Sequence, residues 1–205
     1  MMHKILLMGP QGSGKGTEAE IFSERLSVPA FGMGQLIRDE IATGSDFGKK
    51  MEEIILRGEL VSDEDAAHLL KLRLAKPDTE NGYILDGYPR NISQYNAFDF
   101  DTPTHVLVID IPREESLKRL SGRLTCKDCG KVGSVSDTLK AGDLCECGGQ
   151  WYQRDDDTPE AITRRLEIYK NDTAPVIEKY GDLVRTIDGV GSIEVVTERI
   201  EKVLA

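Results

Sequence analysis

GPQGSGKGT, residues 9–17, follows the short apolar run Ile5 to Met8 and opens onto a segment with helical periodicity. A strand, a glycine-rich turn and the start of a helix are what a phosphate-binding loop requires. Gly12, Gly14 and Gly16 permit positive φ and carry no Cβ, so successive N–H groups can surround a phosphate at the positive end of the helix. The stretch therefore predicts a nucleotide phosphate site.

Lys15 strengthens this prediction, and the residue after it departs from the strict motif. The lysine adds a mobile cation at the outer phosphates of a bound nucleotide. Gly16 stands where the motif has Ser or Thr, and the hydroxyl comes one residue later, at Thr17. A tight strand–helix turn without a ligand is the alternative interpretation. The spacing, the lysine and both flanking segments favour phosphate binding.

The composition limits the class of protein. A chain of 205 residues can bury one α/β core and carry small insertions. Its net charge of −10 and pI of about 4.9 argue against a basic face for nonspecific nucleic-acid binding. No apolar run is long enough to span a bilayer, and the run near Met1 is too short for a signal-peptide core. We therefore expect a cytoplasmic monomer with no membrane or nucleic-acid partner.

Strand-like runs alternate with helical periodicity along the chain. One helical face carries Ala19, Phe22 and Leu26, and a later one carries Leu69 and Leu74. The alternation predicts an α/β fold with a five-stranded parallel sheet, helices on both faces, and ligands beyond the carboxyl ends of the strands. The strand-like runs are residues 5–8, 83–86, 105–110 and 183–187, with a weaker one at 29–31.

Two short patterns predict where helices begin. Ser62 and Asp65 have the spacing of a capping box. Thr158 followed by Pro159 is a second helix start, because proline fits the first helical position, where no N–H is needed.

Two segments do not fit the alternation and are predicted to be insertions over the ligand-binding edge of the sheet. Residues 32–61 have helical patterns without an intervening strand, and residues 124–157 carry the cysteines among glycines and polar residues. The remaining core would then consist of residues 1–31, 62–123 and 158–205.

Asp86-Gly87-Tyr88-Pro89-Arg90 directly follows a predicted strand. Asp86 is therefore expected at a carboxyl end of the sheet near the phosphate loop, where a carboxylate can hold the waters of a hydrated Mg²⁺ ion. A turn-capping aspartate is the alternative interpretation. Gly87 and Pro89 fix the turn that directs Arg90.

The four cysteines form one local group rather than a disulfide framework spread through a secreted fold. Two cysteine pairs, each followed by glycine, are typical of a zinc knuckle, and four sulfur ligands would make the zinc structural. Iron or a thiol pair remains an alternative. The second pair is CxC rather than CxxC, which would strain the site or let Asp143 or Glu146 replace a thiolate. The cysteines are Cys126, Cys129, Cys145 and Cys147.

A set of motifs in a fixed order extends over the whole chain. They are GPQGSGKGT, GQLIR ending at Arg38, GELVSDE from Gly58 to Glu64, DGYPR with Gln94 four residues beyond, Gly122-Arg123, and RDDD from Arg154 with Arg165 after it. In this order and spacing the chain resembles the adenylate kinases, within the nucleoside monophosphate kinases, in their long-lid, zinc-bearing form. The resemblance implies a phosphate-binding-loop core, an acceptor-binding insertion at 32–61 and a zinc-stabilised lid at 124–157.

The resemblance further implies transfer of the γ-phosphoryl group of ATP to AMP, giving two ADP, with Mg²⁺. The attacking oxygen belongs to the AMP phosphate, whose second pKa of about 6 leaves it ionised at neutral pH, so no protein base is needed. The reaction instead needs positioned positive charge around a loose transition state. The catalytic cations implied are Lys15, Arg90, Arg123, Arg154 and Arg165.

The resemblance also implies the two nucleotide sites. The ATP side comprises Gly12, Ser13, Gly14, Lys15, Gly16, Thr17, Arg119, Arg123 and Gly191. The AMP side comprises Met33, Arg38, Glu59, Leu60, Val61, Gly87, Tyr88, Pro89, Arg90, Gln94, Arg154 and Arg165.

Gln94 is the main indication of an adenine acceptor, because an amide can pair with the donor and the acceptor on the edge of that base. A helix-surface glutamine is the alternative. Met33 stands where the family usually has a threonine, beside Gly32, and Met33 could also fill core space. Gly133 stands where zinc-bearing members usually have an aromatic residue over the ATP nucleoside.

Two rival functions remain at the level of sequence. One is a monophosphate kinase for another acceptor such as CMP or UMP, which Gly32 and Met33 alone support. The other is a non-catalytic, ATP-binding zinc-ribbon module, against which the arginine set and the complete DGYPR motif argue. Asp155 to Asp157 is either a solvated charge run or the partner of the lid arginines Arg123 or Arg154.

Overall fold

The computed structural model describes residues 2–56, 61–136, 138–154 and 157–204. Short 3₁₀ turns at Pro77–Thr79 and Glu178–Leu183 and a π-helical turn at Tyr169–Thr173 complement the regular elements. Those elements are, in chain order, β1 His3–Met8, α1 Lys15–Leu26, β2 Ala30–Gly32, α2 Met33–Ala42, α3 Asp46–Leu56, α4 Asp63–Leu74, β3 Gly82–Asp86, α5 Ile92–Ala97, β4 His105–Asp110, α6 Arg113–Ser121, β5 Arg123–Cys126, β6 Val132–Ser134, β7 Trp151–Tyr152, α7 Pro159–Ile168, α8 Ala174–Ile177, β8 Val184–Asp188 and α9 Ile193–Leu204.

Five parallel strands form the central sheet in the order β2-β3-β1-β4-β8. The chain winds from β1 to β2 and β3 on one side, and then crosses to β4 on the other side of β1. A crevice opens at the carboxyl ends of the strands where the winding direction changes, and the phosphate loop follows β1 at this point. The predicted five-stranded parallel α/β fold is confirmed.

Alternate residues of the central strands supply two separate hydrophobic clusters, one on each face of the sheet. Ile5 and Leu7 of β1 belong to the cluster that includes α1 and α9, whereas Leu6 and Met8 belong to the cluster that includes α2, α3 and α4. A strand with both faces buried reads as a continuous apolar run, as β1 does.

The strand predictions agree with the structure to within a few residues. β1 begins at His3 because His3 and Lys4 also pair with β3. The last strand begins at Val184, because Leu183 ends the preceding 3₁₀ turn. The weak prediction at 29–31 corresponds to β2.

Both predicted helix caps are present, but one pattern is only half formed. Thr158 Oγ1 accepts from the Ala161 N–H at 3.2 Å at the start of α7. Ser62 Oγ accepts from the Asp65 N–H at 3.1 Å. The Asp65 carboxylate, however, accepts from Lys50 Nζ of α3 at 2.7 Å. Among the described residues the Asp65 carboxylate makes no return bond to the Ser62 N–H, because the interhelical ion pair with Lys50 holds it.

The two predicted insertions differ in structure. Gly32 ends β2, and helices α2 and α3 follow it in the described part of residues 32–61 with no further strand. Residues 124–157 contain a small antiparallel sheet in the order β6-β5-β7, with its own cluster of Leu124, Cys126, Cys145 and Trp151. Within the described ranges, no helix is long and apolar enough to cross a membrane.

Candidate active site

The glycine-rich loop connects β1 to α1 through three residues of positive φ. Gly9 has φ +136°, and a Cβ there would lie 2.2 Å from the Ile109 carbonyl oxygen of β4. Gly12 and Gly14 have φ +82° and +96°. Gly16 lies in the first turn of α1 and lacks a positive φ, so the expectation that Gly16 needs this freedom was wrong. Gly9 carries that requirement instead, because the loop passes directly against β4.

Lys15 lies folded over the loop that it follows. Its Nζ donates to the carbonyl oxygens of Gly9 and Pro10 at 2.9 and 2.7 Å and to Ser13 Oγ at 3.3 Å. These three bonds occupy the three N–H donors of the ammonium group, so Lys15 exchanges some of them when it binds a phosphate. Within the loop, the Ser13 N–H donates to the Pro10 carbonyl at 3.3 Å. The neighbouring Thr17 lies half-buried on α1.

Three charged side chains share the electrostatic environment of Lys15. Burial is the main cause that lowers the pKa of the Lys15 ammonium to about 8. The carboxylate of Asp86 acts in the opposite direction, and the charges of Arg90 and Arg123 add to the lowering. The lysine therefore stays mostly protonated at pH 7 and loses its charge as the pH rises through 8. A bound phosphate would offset this concentration of positive charge. The site therefore has the electrostatic character that binding a polyphosphate requires.

Asp86 ends β3 and faces the first turn of α1. One carboxylate oxygen, Oδ2, lies 3.9 Å from the position of a Cβ on either Gly16 or Gly32. The other, Oδ1, is buried, and no protein donor in the described ranges bonds to it. An unpaired buried carboxylate oxygen suits a water of hydrated Mg²⁺, and it argues against the turn-capping interpretation.

Arg119 of α6 lies between the phosphate loop and the loop that follows β8. Its guanidinium donates to the Gly12 carbonyl at 3.5 Å and to the Gly189 carbonyl at 3.1 Å, and Glu115 accepts from its Nε at 2.7 Å. Gly191, with φ +138°, lies two residues along the same loop. Arg119 is therefore bonded to the loop that carries Gly191.

Asp157 holds two of the predicted catalytic arginines. Its side chain is fully buried and accepts from Arg123 at 2.5 and 2.8 Å and from Arg165 at 2.8 Å. Burial alone would raise the pKa of this carboxyl group, but the bonds to Arg123 and Arg165 outweigh burial and lower it. Arg154 donates to Thr125 Oγ1 at 3.0 Å, and Asp157 serves Arg123 and Arg165.

The turn at residues 87–89 places the Arg90 side chain against the Gly87 backbone. Arg90 Nε donates to the Gly87 carbonyl at 2.7 Å, and a Cβ on Gly87 would lie 3.2 Å from the guanidinium. Tyr88 is buried in the core, and burial raises the pKa of its hydroxyl to about 12. The Thr173 hydroxyl donates to the Arg90 carbonyl at 2.8 Å from the π-helical turn. Pro89 completes this turn.

Gln94 adjoins the same turn. Its Oε1 accepts from the Arg90 N–H at 2.8 Å, and its Nε2 donates to Asp63 at 2.8 Å. The side chain is thus bonded to its surroundings rather than extended into solvent as an ordinary helix-surface glutamine. Thr173 was not among the residues identified from sequence, and Asp63 was included only as part of the GELVSDE motif, with no role assigned to it.

The remaining acceptor-side predictions are dispersed. Met33 is only 7% exposed and packs in the core cluster with Leu36, so its side chain fills core space. Val61 packs partly against the same cluster. Arg38 lies exposed on α2, where it donates to Gln35 at 2.6 Å. The predictions at Glu59, Leu60, Asp155 and Asp156 lie outside the described residues.

The four cysteine sulfurs form a compact group, all within 4.8 Å of one another. Cys126 and Cys147 Sγ are 3.5 Å apart, and Cys129 and Cys145 Sγ are 3.8 Å apart. Tetrahedral zinc with Zn–S bonds of about 2.3 Å requires sulfurs about 3.8 Å apart. The CxC spacing therefore does not prevent a four-sulfur cage.

Neighbouring groups favour the cysteines over the acidic alternatives as ligands. A hydrogen bond from the backbone N–H of Cys129 lowers the pKa of the Cys126 thiol to about 7, towards the thiolate that a metal requires. At Cys129 the backbone bond from Lys131 also favours the thiolate, but the Cys147 and Cys126 sulfurs outweigh it and raise the pKa to about 12. Asp143 accepts from the Lys140 N–H at 2.7 Å, and exposed Glu146 accepts from Lys131 Nζ at 2.8 Å. These two carboxylates are bonded elsewhere.

Gly133 has a packing reason for its lack of a side chain. A Cβ there would lie 2.9 Å from Leu139 and 3.3 Å from the Trp151 ring. The Trp151 ring of the small sheet thus occupies the space beside Gly133.

A doubly wound parallel sheet with a phosphate loop after its first strand, converging cations and a lid-like insertion defines a P-loop phosphotransferase. The model of the adenylate kinase family matches residues 7–184. This chain is 41% identical to an adenylate kinase of Methanothrix thermoacetophila, with 98% of each chain covered. It is 38% identical to one of Archaeoglobus fulgidus, over 98% of this chain and 97% of the relative, and 37% identical to one of Thermodesulfovibrio yellowstonii, over 98% of each. The chain belongs to the adenylate kinase family.

Proposed function

We infer that this protein is an ATP:AMP phosphotransferase that converts ATP and AMP reversibly into two ADP. The observation that carries this function is the convergence of Lys15, Arg90, Arg123 and Asp86 at the carboxyl end of the sheet. Cations from three separate motifs meet there with a carboxylate suited to hydrated Mg²⁺. A module that only held ATP would not need Arg90, which lies on the acceptor side.

The chemistry follows from these positions. An oxygen of the AMP phosphate attacks the γ-phosphorus of ATP, the bond to the β-phosphate bridging oxygen breaks, and ADP leaves. Lys15 and Arg123 stabilise the donor phosphates, and Arg90 binds the acceptor phosphate. Mg²⁺, when bound through waters to Asp86, supplies further positive charge on the phosphates. Closure of the insertions excludes water, which would otherwise compete as the acceptor.

The finer assignments of residues are part of this proposal. We assign the core to residues 1–31, 62–123 and 158–205, the acceptor insertion to 32–61 and the lid to 124–157. Gln94 reads the acceptor base, and its bonded position beside Arg90 supports this role. Arg38 reaches the acceptor phosphate from α2 only if the acceptor insertion closes. Arg154 and Arg165 complete the cationic set.

We further propose a cytoplasmic monomer with structural zinc. The local clustering of all four cysteines supports a metal site over a disulfide framework. Four thiolates complete the tetrahedron, so the metal would cross-link the lid and leave no position for substrate.

The acceptor assignment predicts a clear preference for AMP. With ATP and Mg²⁺, ADP formation should be fastest with AMP among AMP, CMP, UMP and GMP. Gln94→Ala should raise the Michaelis constant for AMP by about tenfold or more, since unpaired polar groups cost about 1 to 3 kcal/mol. A coupled assay of ADP measures both. Equal use of CMP and AMP by the wild type would contradict the assignment.

Zinc should bind at one ion per chain and stabilise the lid separately from the core. A segment of few large apolar side chains orders itself poorly, so the metal cross-link contributes its stability. Cys126→Ser with Cys129→Ser should abolish zinc in elemental analysis and increase proteolysis within 124–157, while slow kinase activity remains.

Val135→Ser provides the control, because it changes an exposed side chain of the same segment outside the sulfur cage. It should keep both the zinc and the protease resistance. Wild-type protein that contains no metal when purified without chelator would rule out the zinc site.

A further inference from the structure

Asp63 begins α4 and bonds to two residues at the start of α5. Its carboxylate accepts from Gln94 Nε2 at 2.8 Å and from Asn91 Nδ2 at 3.2 and 3.3 Å. Asn91 also caps α5, because its Oδ1 accepts from the Gln94 N–H at 2.7 Å. Asp63 and Asn91 therefore fix Gln94 through both its backbone and its side chain.

The Gln94 amide lies between partners of opposite hydrogen-bonding character. The Arg90 N–H, 2.8 Å from Oε1, can only donate. The Asp63 carboxylate, at Nε2, can only accept. A flipped amide would place oxygen against the carboxylate and nitrogen against the N–H, and both contacts would be repulsive. The surrounding groups thus determine which way the amide points.

The fixed amide has a consequence for the base that it can recognise. A primary amide has two N–H donors and two acceptor lone pairs, so one donor and one acceptor remain after these bonds. The 6-amino group and N1 of adenine offer a donor and an acceptor. The 6-oxo group and N1–H of hypoxanthine, the base of IMP, offer the reverse order. An amide that cannot flip can match only one of the two orders.

We propose that Asp63 fixes the polarity of the Gln94 amide and thereby makes the acceptor site select 6-amino over 6-oxo purine monophosphates. Asp63 is a positioning residue, since it acts on the base through Gln94. The inference rests on the proposed role of Gln94 as the reader of the acceptor base.

Asp63→Asn tests the inference, because an asparagine can face either end of the Gln94 amide. The kcat/KM ratio for AMP over IMP should fall by about tenfold, mainly through a higher KM for AMP, while kcat with AMP changes by less than about threefold. Asp65→Asn is the matched control on the same helix, where the carboxylate pairs with Lys50. Its AMP/IMP ratio should equal that of the wild type.

The other outcomes distinguish the inference from the role on which it rests. If Gln94→Ala lowers the AMP/IMP ratio but Asp63→Asn does not, Asp63 has no part in selection and Gln94 keeps its role. If Gln94→Ala leaves the ratio unchanged, the role of Gln94 is wrong and this inference falls with it. Parallel losses with both nucleotides in Asp63→Asn would indicate a merely structural aspartate.

A second variant keeps the test available if Asp63→Asn does not fold. Asn91→Ser retains an oxygen that can cap α5 and removes the second donor to Asp63. A fall of about threefold in the AMP/IMP ratio is expected, since Asn91 is one of the two residues that bond to the carboxylate. An unchanged ratio in this variant overturns the proposal.

Discussion

Lys15→Ala should lower kcat by about 100-fold to 1,000-fold while leaving the sheet folded, because it deletes a cation at the transferred phosphoryl group rather than a core side chain. The phosphate loop also loses the bonds from Nζ to the Gly9 and Pro10 carbonyls. Gly9 and Pro10 are buried, so their carbonyls lose this donor and the loop loses some stability. Steady-state kinetics with ATP and AMP at pH 7, where Lys15 is mostly protonated, measure the loss.

Lys202→Ala serves as the control for Lys15, because Lys202 is an exposed lysine in the last turn of α9, away from the phosphate loop. It should have wild-type kinetics. Circular dichroism should show the same helix content for both variants. If the purified Lys15→Ala enzyme kept more than half of the wild-type rate, the phosphate-loop assignment would be wrong.

The fold could be predicted from local patterns because the central strands are buried on both faces. Continuous apolar runs such as residues 5–8 and 105–110 have that signature, and the glycine-rich loop fixes the order of strand, turn and helix. The need for a positive φ at Gly9 was not predicted from the motif. Its positive φ arises from the close approach of β4, which follows about a hundred residues later, and no local motif records such a contact.

Site residues could be predicted only where they belong to a motif with a known chemical role. Asp86 ends a strand and Arg90 follows it, and strand ends meet at one edge of a parallel sheet. Thr173 carries no such signal, and the GELVSDE motif contains Asp63 without indicating its partner, because an aspartate at a helix start is common for local reasons alone. Their roles depend on α4, α5 and the π-helical turn packing around one arginine, which is tertiary information.

The acidic run Asp155 to Asp157 shows which ion pairs a sequence can and cannot predict. Sequence could suggest that an aspartate pairs with a lid arginine, but not which one. Burial decides this, because a carboxylate with no solvent contact needs more than one charged partner to offset desolvation. Asp157 has two, Arg123 and Arg165, and it therefore links the start of the lid to α7.

Asp157→Asn should lower kcat by about 100-fold, because small misplacements of catalytic groups have effects of that size. It should also lower the free energy of unfolding by about 3 kcal/mol, since it leaves two guanidinium groups without their buried counter-charge. An asparagine would also turn an N–H₂ group towards one of these donors. Stopped-flow or coupled kinetics and urea denaturation measure the two effects.

The pH dependence separates this ion pair from ordinary loss of packing. The folded-state pKa of Asp157 is lowered below its ordinary value of 3.8, so the pair contributes its full stability above that value. The contribution is lost as the pH falls through the lower, folded-state pKa, where both states bind the proton. The stability difference between wild type and Asp157→Asn should therefore be constant from about pH 5 to 7 and shrink below about pH 4.

Asp172→Asn is the control, because Asp172 is an exposed aspartate on the π-helical turn. This variant should change neither kcat nor the pH profile of stability. A stability difference that persisted undiminished at the lowest pH would show that Asp157 acts through its shape and not through its charge.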